Sequence, residues 1–558
     1  MFLSFRDEVE SCLKDALKAA GIKADAELEE SDHADLASSV SFKLASKLKK
    51  SPKEIAQKIA KYIQISDYKF IADVIVSGPY INFFVNRSFL NETIEEISQK
   101  KCDYGQLGYS GKIILEHTST NPNGPLHVGH IRNSIIGDTL SRVLRKAGYD
   151  VETQYYVNDM GRQIAMVVFG LERYDLLEKK SDHAVAEVYI SANRAIEKDH
   201  GLKADVDRFM QKYEAGDKKI KEKFVSAVDL CLLGIRSTLE RMNIKHDRFV
   251  WESDFVWSGT VRDIIGIVER SRYSEIQDGA LVLDLNEFGF EKEYVVKRSD
   301  GTSLYSTRDL AYHKMKAKDC DRVIDIFGAD HKLISSQLVK VLEILGVKTP
   351  EIVIFEFVSL PEGSMSTRKG KFITTDELLD EVERAAYEEV DKRRSDLTED
   401  IKKDIASSVG VGAIRYDIVR VSAEKSTTFD WKNALDFEKQ GAPFIQYAHA
   451  RCCSILRKSD DKPTFNPNLL VQKSEIDLIK KMSKFPLVVE VASKDLKAHL
   501  IATYARELTD LFNQFYRDVP VLSTEDELKK ARLCLVDCTR IVICEVLKLM
   551  GIEAPEVM

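Results

Sequence analysis

Asn121-Pro122-Asn123-Gly124-Pro125-Leu126-His127-Val128-Gly129-His130 decides how this chain is read, because it joins a short apolar strand, Ile113-Ile114-Leu115, to a helix. The helix is announced by Val128, Ile131, Ile135, Ile136, Leu140, Val143 and Leu144, apolar residues mostly three and four apart. Such a junction aims the first amides of the helix, and the positive end of its dipole, at whatever lies in the loop. His127 and His130 share one side of the first turn, and Gly129 between them leaves no side chain to hold a nucleotide off the backbone. The combination suits ATP. HxxH is also half of a zinc site, but no cysteine, histidine or carboxylate set at ligand spacing accompanies it, so no metal ligand is assigned. Capping and packing alone would account for HxGH taken by itself.

A second cluster, Gly363-Ser364-Met365-Ser366-Thr367-Arg368-Lys369-Gly370-Lys371, follows the strand-like run Ile352-Val353-Ile354-Phe355-Glu356-Phe357-Val358. A hydroxyl-rich, basic loop after a strand can close on a triphosphate and neutralise its charge. It lacks the spacing of a Walker A loop, and alone it reads more readily as a solvated basic turn.

Together the two clusters resemble the HIGH and KMSKS signatures of class I aminoacyl-tRNA synthetases. Four further motifs narrow the resemblance to the arginyl-tRNA synthetase family: Glu116-His117-Thr118-Ser119-Thr120-Asn121-Pro122-Asn123, Val157-Asn158-Asp159-Met160-Gly161-Arg162-Gln163, Leu304-Tyr305-Ser306-Thr307-Arg308-Asp309-Leu310 and Gln446-Tyr447-Ala448-His449-Ala450-Arg451. The likeness runs from about residue 78 to residue 558. It implies ATP-dependent activation of L-arginine to arginyl-adenylate, with Mg²⁺, then transfer to tRNA-Arg.

Composition agrees with a multidomain globular enzyme. The chain has 558 residues, 44% hydrophobic and 31% charged, enough for about three domains with cores of their own. No run of 18 apolar residues occurs, and acids appear early in Met1-Phe2-Leu3-Ser4-Phe5-Arg6-Asp7-Glu8, unlike a signal peptide. The expectation is a cytoplasmic protein with no membrane partner. Nine cysteines without a CxxC favour reduced thiols. A formal charge of -8 argues against a general nucleic-acid coat and against DNA, so RNA contacts are expected at local basic and aromatic patches.

The expected fold is α/β multidomain: an N-terminal α/β accessory unit, a Rossmann-like parallel-sheet catalytic domain with an insertion, and an all-α C-terminal domain. Residues 1–108 read as the first unit, with amphipathic helices around Asp7 to Ala20 and Ser51 to Tyr62 and strands at Phe70-Ile71-Ala72-Asp73-Val74-Ile75-Val76 and after Gly78. Residues 111–385 alternate strands with helices, predicting a ligand at the carboxyl edge of a parallel sheet. An insertion over about residues 176–290 is first charged and helical, and a hairpin follows at residues 280–285 and 293–298. Residues 393–558 turn helical, with apolar stripes at Ile501, Tyr504, Leu508, Leu511, Phe512 and Phe515 and at Ile541, Val542, Val546, Leu547 and Met550. The resemblance implies that the first unit touches the tRNA elbow through Asn82, and that the helical domain binds the anticodon. Tyr447, His449, Arg451, Asn513 and Tyr516 offer it stacking and phosphate-binding groups.

A guanidinium pocket should present a carboxylate that accepts in a planar fork, which lysine's point charge cannot satisfy. Tyr305 and Asp309, four apart at the start of a predicted helix, match the family's side-chain recognition positions, and Glu252 matches a further acid. Asn121, Ser119 and Gln337, with Glu116, match positions that hold the amino acid's α-amino and carboxylate ends. For ATP, Gly328, Asp330 and His331 follow the strand Val323-Ile324-Asp325-Ile326-Phe327 and join His127, Gly129, His130, Met365 and Ser366. The second signature departs from the family: aligned on Met365 and Ser366, Ser364 and Thr367 stand at the two lysines and Arg368 at the last serine. A compensating lysine before the first signature is absent, Gly124 standing there. Arg368, Lys369 or Lys371 is left to supply the cations, and Arg368 and Lys369 join His127 and His130 as the catalytic set. The rivals are a synthetase paralogue that binds tRNA without charging it, another class I synthetase, and a simpler nucleotidyltransferase. The family-based expectation for assembly is a monomer.

Overall fold

Five parallel strands form the centre of the molecule. In chain order they are β1 (Lys112–Glu116), β2 (Asp150–Val157), β3 (Arg248–Trp251), β4 (Arg322–Gly328) and β5 (Glu351–Phe355). They are arranged β5-β4-β1-β2-β3 with every neighbouring pair parallel. Helix α1 (Val128–Ala147) crosses from β1 to β2, α2 (Tyr305–Asp319) leads into β4, and α3 (Lys332–Ile344) connects β4 to β5. The order reverses between β1 and β4, so their carboxyl ends open a crevice, the place where doubly wound sheets bind ligands. The computed structural model describes residues 1–299, 301–359, 373–436, 441–461, 463 and 466–558.

Apolar runs explain β1 and β4, whose residues Ile113, Ile114, Leu115, Val323, Ile324 and Ile326 are all buried, as a sheet covered on both faces requires. The expected interruption is present. Four α-helices, Arg162–Leu171, Ser181–Lys198, Lys203–Glu214 and Lys218–Arg241, lie between β2 and β3. Beyond β3 the expected hairpin pairs Ala280–Leu283 with Tyr294–Lys297, and a third strand, Ser274–Gln277, extends it. That strand is half-exposed and polar, so it carried no apolar alternation to read.

At the N-terminus, helices Phe2–Ala19, Val40–Leu48 and Pro52–Ala60 pack with an antiparallel sheet ordered Leu28–Glu29, Leu36–Ser38, Tyr80–Val85, Ile71–Ser77. The first two strands are too short to show a period. At the other end, the helices Ala442–Arg457, His499–Asp518 and Asp526–Leu549 bury the stripes expected of them, including Ile501, Leu508, Phe512, Phe515, Val542 and Leu547. One continuous core draws buried residues from all three regions, and a separate smaller one packs Phe255, Leu283, Tyr294, Leu310 and Leu338.

Buried charges fasten these parts together. Arg415, on the helix Glu399–Val419, is wholly buried and pairs with Asp138 of α1. It also donates to the carbonyls of Met550 (2.6 Å) and Met242 (2.7 Å), so one guanidinium ties the catalytic domain, the insertion and the chain's C-terminal end. Gly551 has a φ of 67°, and a Cβ there would collide with that guanidinium. The substitution Arg415→Met leaves two carbonyls and much of a carboxylate unanswered, and is expected to cost about 3–5 kcal/mol. Chemical denaturation checks it: the midpoint of the main transition should fall, and an unchanged midpoint would show that the junction is dispensable.

Candidate active site

The crevice between β1 and β4 opens into a cavity of about 1130 Å³. One wall is the start of α1. His127 is the N-cap of that helix, its Nδ1 accepting from the Gly129 amide (3.1 Å), while His130 Nδ1 accepts from the His127 amide (3.3 Å). The two rings stack with centroids 3.5 Å apart. Because both Nδ1 atoms accept, both imidazoles carry their proton on Nε2. Burial pushes the His127 pKa down, and burial with the neighbouring His127 takes His130 to about 3. Both are therefore neutral donors at physiological pH. Gly129 serves the histidine more directly than the nucleotide: a Cβ there would stand 2.9 Å from His127 Cε1.

The turn after β1 is strained. Thr118 and Ser119 have φ of 71° and 41°, a region that non-glycine residues avoid at about 1–3 kcal/mol each. α1 holds Thr118 there. The Thr118 amide donates to Asn133 Oδ1 (2.8 Å), Thr118 Oγ1 donates to Ser134 Oγ (2.9 Å), and Asn133 Nδ2 reaches the Ile326 carbonyl of β4 (3.0 Å). The turn presents Ser119 Oγ, which donates to Glu116 Oε1 (2.9 Å) and accepts from the Tyr156 amide (3.0 Å). Glu116, Ser119 and Asn121 all line the cavity, Asn121 being steadied by Gln163 (3.0 Å).

Opposite, Tyr305 and Asp309 line the cavity from the first turns of α2, with Tyr305 52% exposed and aimed at solvent or ligand. Glu252 also lines it, but both its oxygens are already engaged. Arg308 Nε lies 2.7 Å from Oε1, and Asn158, its amide assigned by its hydrogen-bond partners, donates to Oε2 (2.8 Å). Burial outweighs the nearby Arg308 and raises the Glu252 pKa to about 7. Gly328, Asp330 and His331 complete the β4 side. Gln337 does not line the cavity: it is buried on α3, its Nε2 donating to the Lys292 carbonyl (2.7 Å), and Ile334, Ser335 and Leu338 form the wall there. Met365, Ser366, Arg368 and Lys369 lie outside the described residues. The segment beyond them returns to the first signature, where the Thr375 amide donates to the Leu126 carbonyl (2.8 Å) and Thr374 bridges His127.

Among the described residues, one grouping has the spacing of a metal site, Asp182, His183 and Asp376. Lys180 Nζ already stands 2.7 Å from Asp376 and 3.2 Å from Asp182, so the grouping is an ion-pair junction between the insertion and the helix Thr375–Arg393. Far from the cavity, the helical region assembles a second polar patch. Arg451 Nη1 donates to Asn513 Oδ1 (2.8 Å), and its guanidinium lies 4.7 Å from the Tyr447 ring centre and 4.9 Å from that of Tyr516. Both tyrosines are about half exposed. His449 is not part of that patch, being buried with Nδ1 against the Pro555 carbonyl (3.0 Å). Asn82 is likewise buried in the N-terminal sheet, and the exposed edge-to-face pair Phe42 and Tyr80 stands in the same unit.

Sequence reasoning missed Asn133, Asn158, Arg308, Lys316 and Asp325. One signal was available: Asp325 interrupts an apolar central strand, where an acid is costly unless paired.

Three family models match the chain: "tRNA synthetases class I (R), catalytic domain" over residues 93–431, "DALR anticodon binding domain" over residues 445–558 and "Arginyl tRNA synthetase N terminal domain" over residues 5–85. An arginine–tRNA ligase of Methanosarcina barkeri is 55% identical over 569 residues, spanning 100% of both chains. One of Methanothrix thermoacetophila is 53% identical over 561 residues, again spanning 100% of both. The solved structure of Thermus thermophilus arginyl-tRNA synthetase superposes with a TM-score of 0.86 at 27% identity, covering 99% of this chain and 100% of that one. With a matching catalytic-domain model over most of its length and relatives above half identity from end to end, the chain belongs to the arginyl-tRNA synthetases of class I.

Proposed function

We propose that the cavity takes ATP and L-arginine together and that the enzyme joins them as arginyl-adenylate before charging tRNA-Arg. The observation that carries this is the pairing of two opposed walls: neutral Nε2–H donors of His127 and His130 on one side, Tyr305 and the Asp309 carboxylate on the other. An oxygen of the arginine carboxylate attacks the α-phosphorus of ATP, and the bond to the β-phosphate oxygen breaks, releasing pyrophosphate. The 2'-hydroxyl of the terminal tRNA ribose then attacks the arginyl carbonyl and AMP leaves.

No residue needs to form a covalent bond. His127 and His130 donate to phosphoryl oxygens as charge grows on them, and the amides of α1 add to that field. Gly328, Asp330 and His331 border the nucleotide, and the family resemblance assigns Met365, Ser366, Arg368 and Lys369 to the triphosphate. Asp309 takes the guanidinium with Tyr305 beside it. Ser119, Asn121 and Glu116 hold the α-amino end. Glu252 acts through Arg308 and Asn158, shaping the floor, and Gln337 acts through the wall behind it. Mg²⁺ fits as a companion of the nucleotide: Glu116, Glu252 and Asp309 already face protein cations, and among the described cavity residues Asp330, beside His331, is the well-exposed carboxylate at the rim. When bound it supplies neutralisation of the departing pyrophosphate.

Residues 1–108 and 393–558 grip the tRNA on either side of the catalytic residues 111–385. The Tyr447, Arg451, Asn513 and Tyr516 patch offers stacking faces and a cation to the anticodon arm, with His449 bracing it from within. Asn82 holds the strand that displays Tyr80 to the elbow. The enzyme works as a cytoplasmic monomer, and with a net charge of -8 it has no use for DNA or a membrane surface.

Arginine-dependent exchange of pyrophosphate into ATP, with and without tRNA-Arg, tests the whole assignment. Asp309→Asn should lower kcat/KM for arginine by about a hundredfold while ATP binding persists. Absent exchange in the wild type, with tRNA still bound, would instead mark a silent paralogue. The pH profile is a separate check. Glu252 is ionised above about pH 7 and protonated below it, losing its pairing with Arg308, so kcat/KM for arginine should fall as pH drops through 7. Glu252→Gln should abolish that limb; a limb that survives the substitution would assign it to another group.

A further inference from the structure

Beneath the cavity floor, a chain of buried charges links its two amino acid ends. Glu116 Oε2 is 2.8 Å from Lys316 Nζ, which is 2.7 Å from Asp325 Oδ1. Asp325 Oδ2 is 2.7 Å from His313 Nε2. His313 Nδ1 then meets the backbone carbonyl of Asp309 (2.8 Å) and its carboxylate (3.1 Å). His313, Lys316 and Asp325 are at most 1% exposed and none lines the cavity. Lys316 directs its remaining face to the Tyr312 ring, 4.1 Å away.

Such a network is costly to bury, and it survives only because each member is answered on both sides. Burial opposes charge on His313, but Asp309 and Asp325 override it and hold its pKa near 10. Burial likewise pushes Asp325 up, and Lys316 with His313 brings it down to about 2. His313 and Asp325 therefore face each other as an ion pair, while burial pushes Glu116 up against the pull of Lys316. Its members come from different elements: Glu116 ends β1, Asp325 lies in β4, and His313, Lys316 and Asp309 lie on α2. The spacing of α2 from β1 and β4 is thus set by direct ionic contact in addition to the packing of Leu310, Ala311 and Tyr312, the last stacked on Tyr156 of β2.

We propose that His313, Lys316 and Asp325 are positioning residues that fix the distance between the guanidinium carboxylate Asp309 and the Glu116–Ser119 corner, so that the pocket measures the length of its amino acid. The proposal rests on arginine being the substrate and adds the means by which a longer or shorter cation is rejected. A misplacement of about 1 Å in such a constellation suffices to cost about a hundredfold in rate.

The test separates the two nitrogens of His313. Glutamine places an amide near Nε2, so His313→Gln keeps the contact with Asp325 and drops that with Asp309. Asparagine places one near Nδ1, so His313→Asn keeps the contact with Asp309. Exchange kinetics with arginine and with homoarginine, one methylene longer, are expected to show an arginine KM about tenfold higher and a reduced preference for arginine in His313→Gln. His313→Asn should lie nearer the wild type, and the KM for ATP and the Kd for tRNA should not move in either. An unchanged arginine KM in His313→Gln, or equal shifts in the constants for ATP and tRNA, would overturn the proposal. Should that variant fail to fold, Asp325→Asn is judged by the same constants. Wild-type protein that activates no arginine overturns both the function and the ruler, whereas normal activation with indifferent variants overturns the ruler alone.

Discussion

Helix α1 is enclosed on nearly every side, yet it carries Arg132 and Asp138 into that enclosure. A buried charge has to be answered, and the partners of these two come from distant parts of the chain. Arg132 donates to the carbonyls of Glu356 (2.7 Å), Ser422 (2.9 Å) and Lys425 (2.7 Å). Those acceptors lie on the segment entering the second signature and, within the helical region, on the loop after the helix Glu399–Val419. Asp138 meets Arg142 (2.7 Å) and Arg415, and through Arg415 the C-terminal end. The helix that presents His127 and His130 to the cavity is thereby the one whose polar residues assemble the domains around it.

The same helix stores the local strain of the site. Thr118 and Ser119 remain in an unfavourable conformation because Asn133 and Ser134 hold Thr118 from α1 while Glu116 and the Tyr156 amide hold Ser119. Geometry bought in this way is rigid, which matters where catalysis consists of alignment and electrostatics rather than covalent help. The imidazoles follow the same logic: neutral and fixed by backbone amides, they offer donors without the reorganisation that a mobile cation would need.

The insertion and the helical region are joined to this centre by ions rather than by sequence proximity. Lys180 and His183 meet Asp376 immediately after the residues of the second signature, and hydrogen bonding from both takes the Asp376 pKa to about 2 against the effect of burial. At the far end, Arg451 between Tyr447 and Tyr516 makes a preformed stacking surface, its guanidinium held flat by Asn513.

Periodicity and motif spacing made the parallel sheet, the helical C-terminal region, the hairpin at residues 280–285 and 293–298 and the first signature legible, because each is a local pattern of apolar residues or glycine. Tyr305 with Asp309, one turn apart, was singled out only through the family resemblance, since an i, i+4 pair by itself reads as ordinary helix surface. The rest depended on contacts between residues far apart in the chain. Whether Glu252 faces a substrate or Arg308, whether His449 is displayed or buried, and which side Gln337 turns are decided by packing between elements, on which residue type is silent. Asp325 and Lys316 show the division most plainly. The sequence by itself determined that one charge, Asp325, sits within an apolar strand and that Lys316 is one of several lysines on a helix; only the tertiary structure decided that they find each other, since the ionic contacts of Lys316 join a helix to two strands.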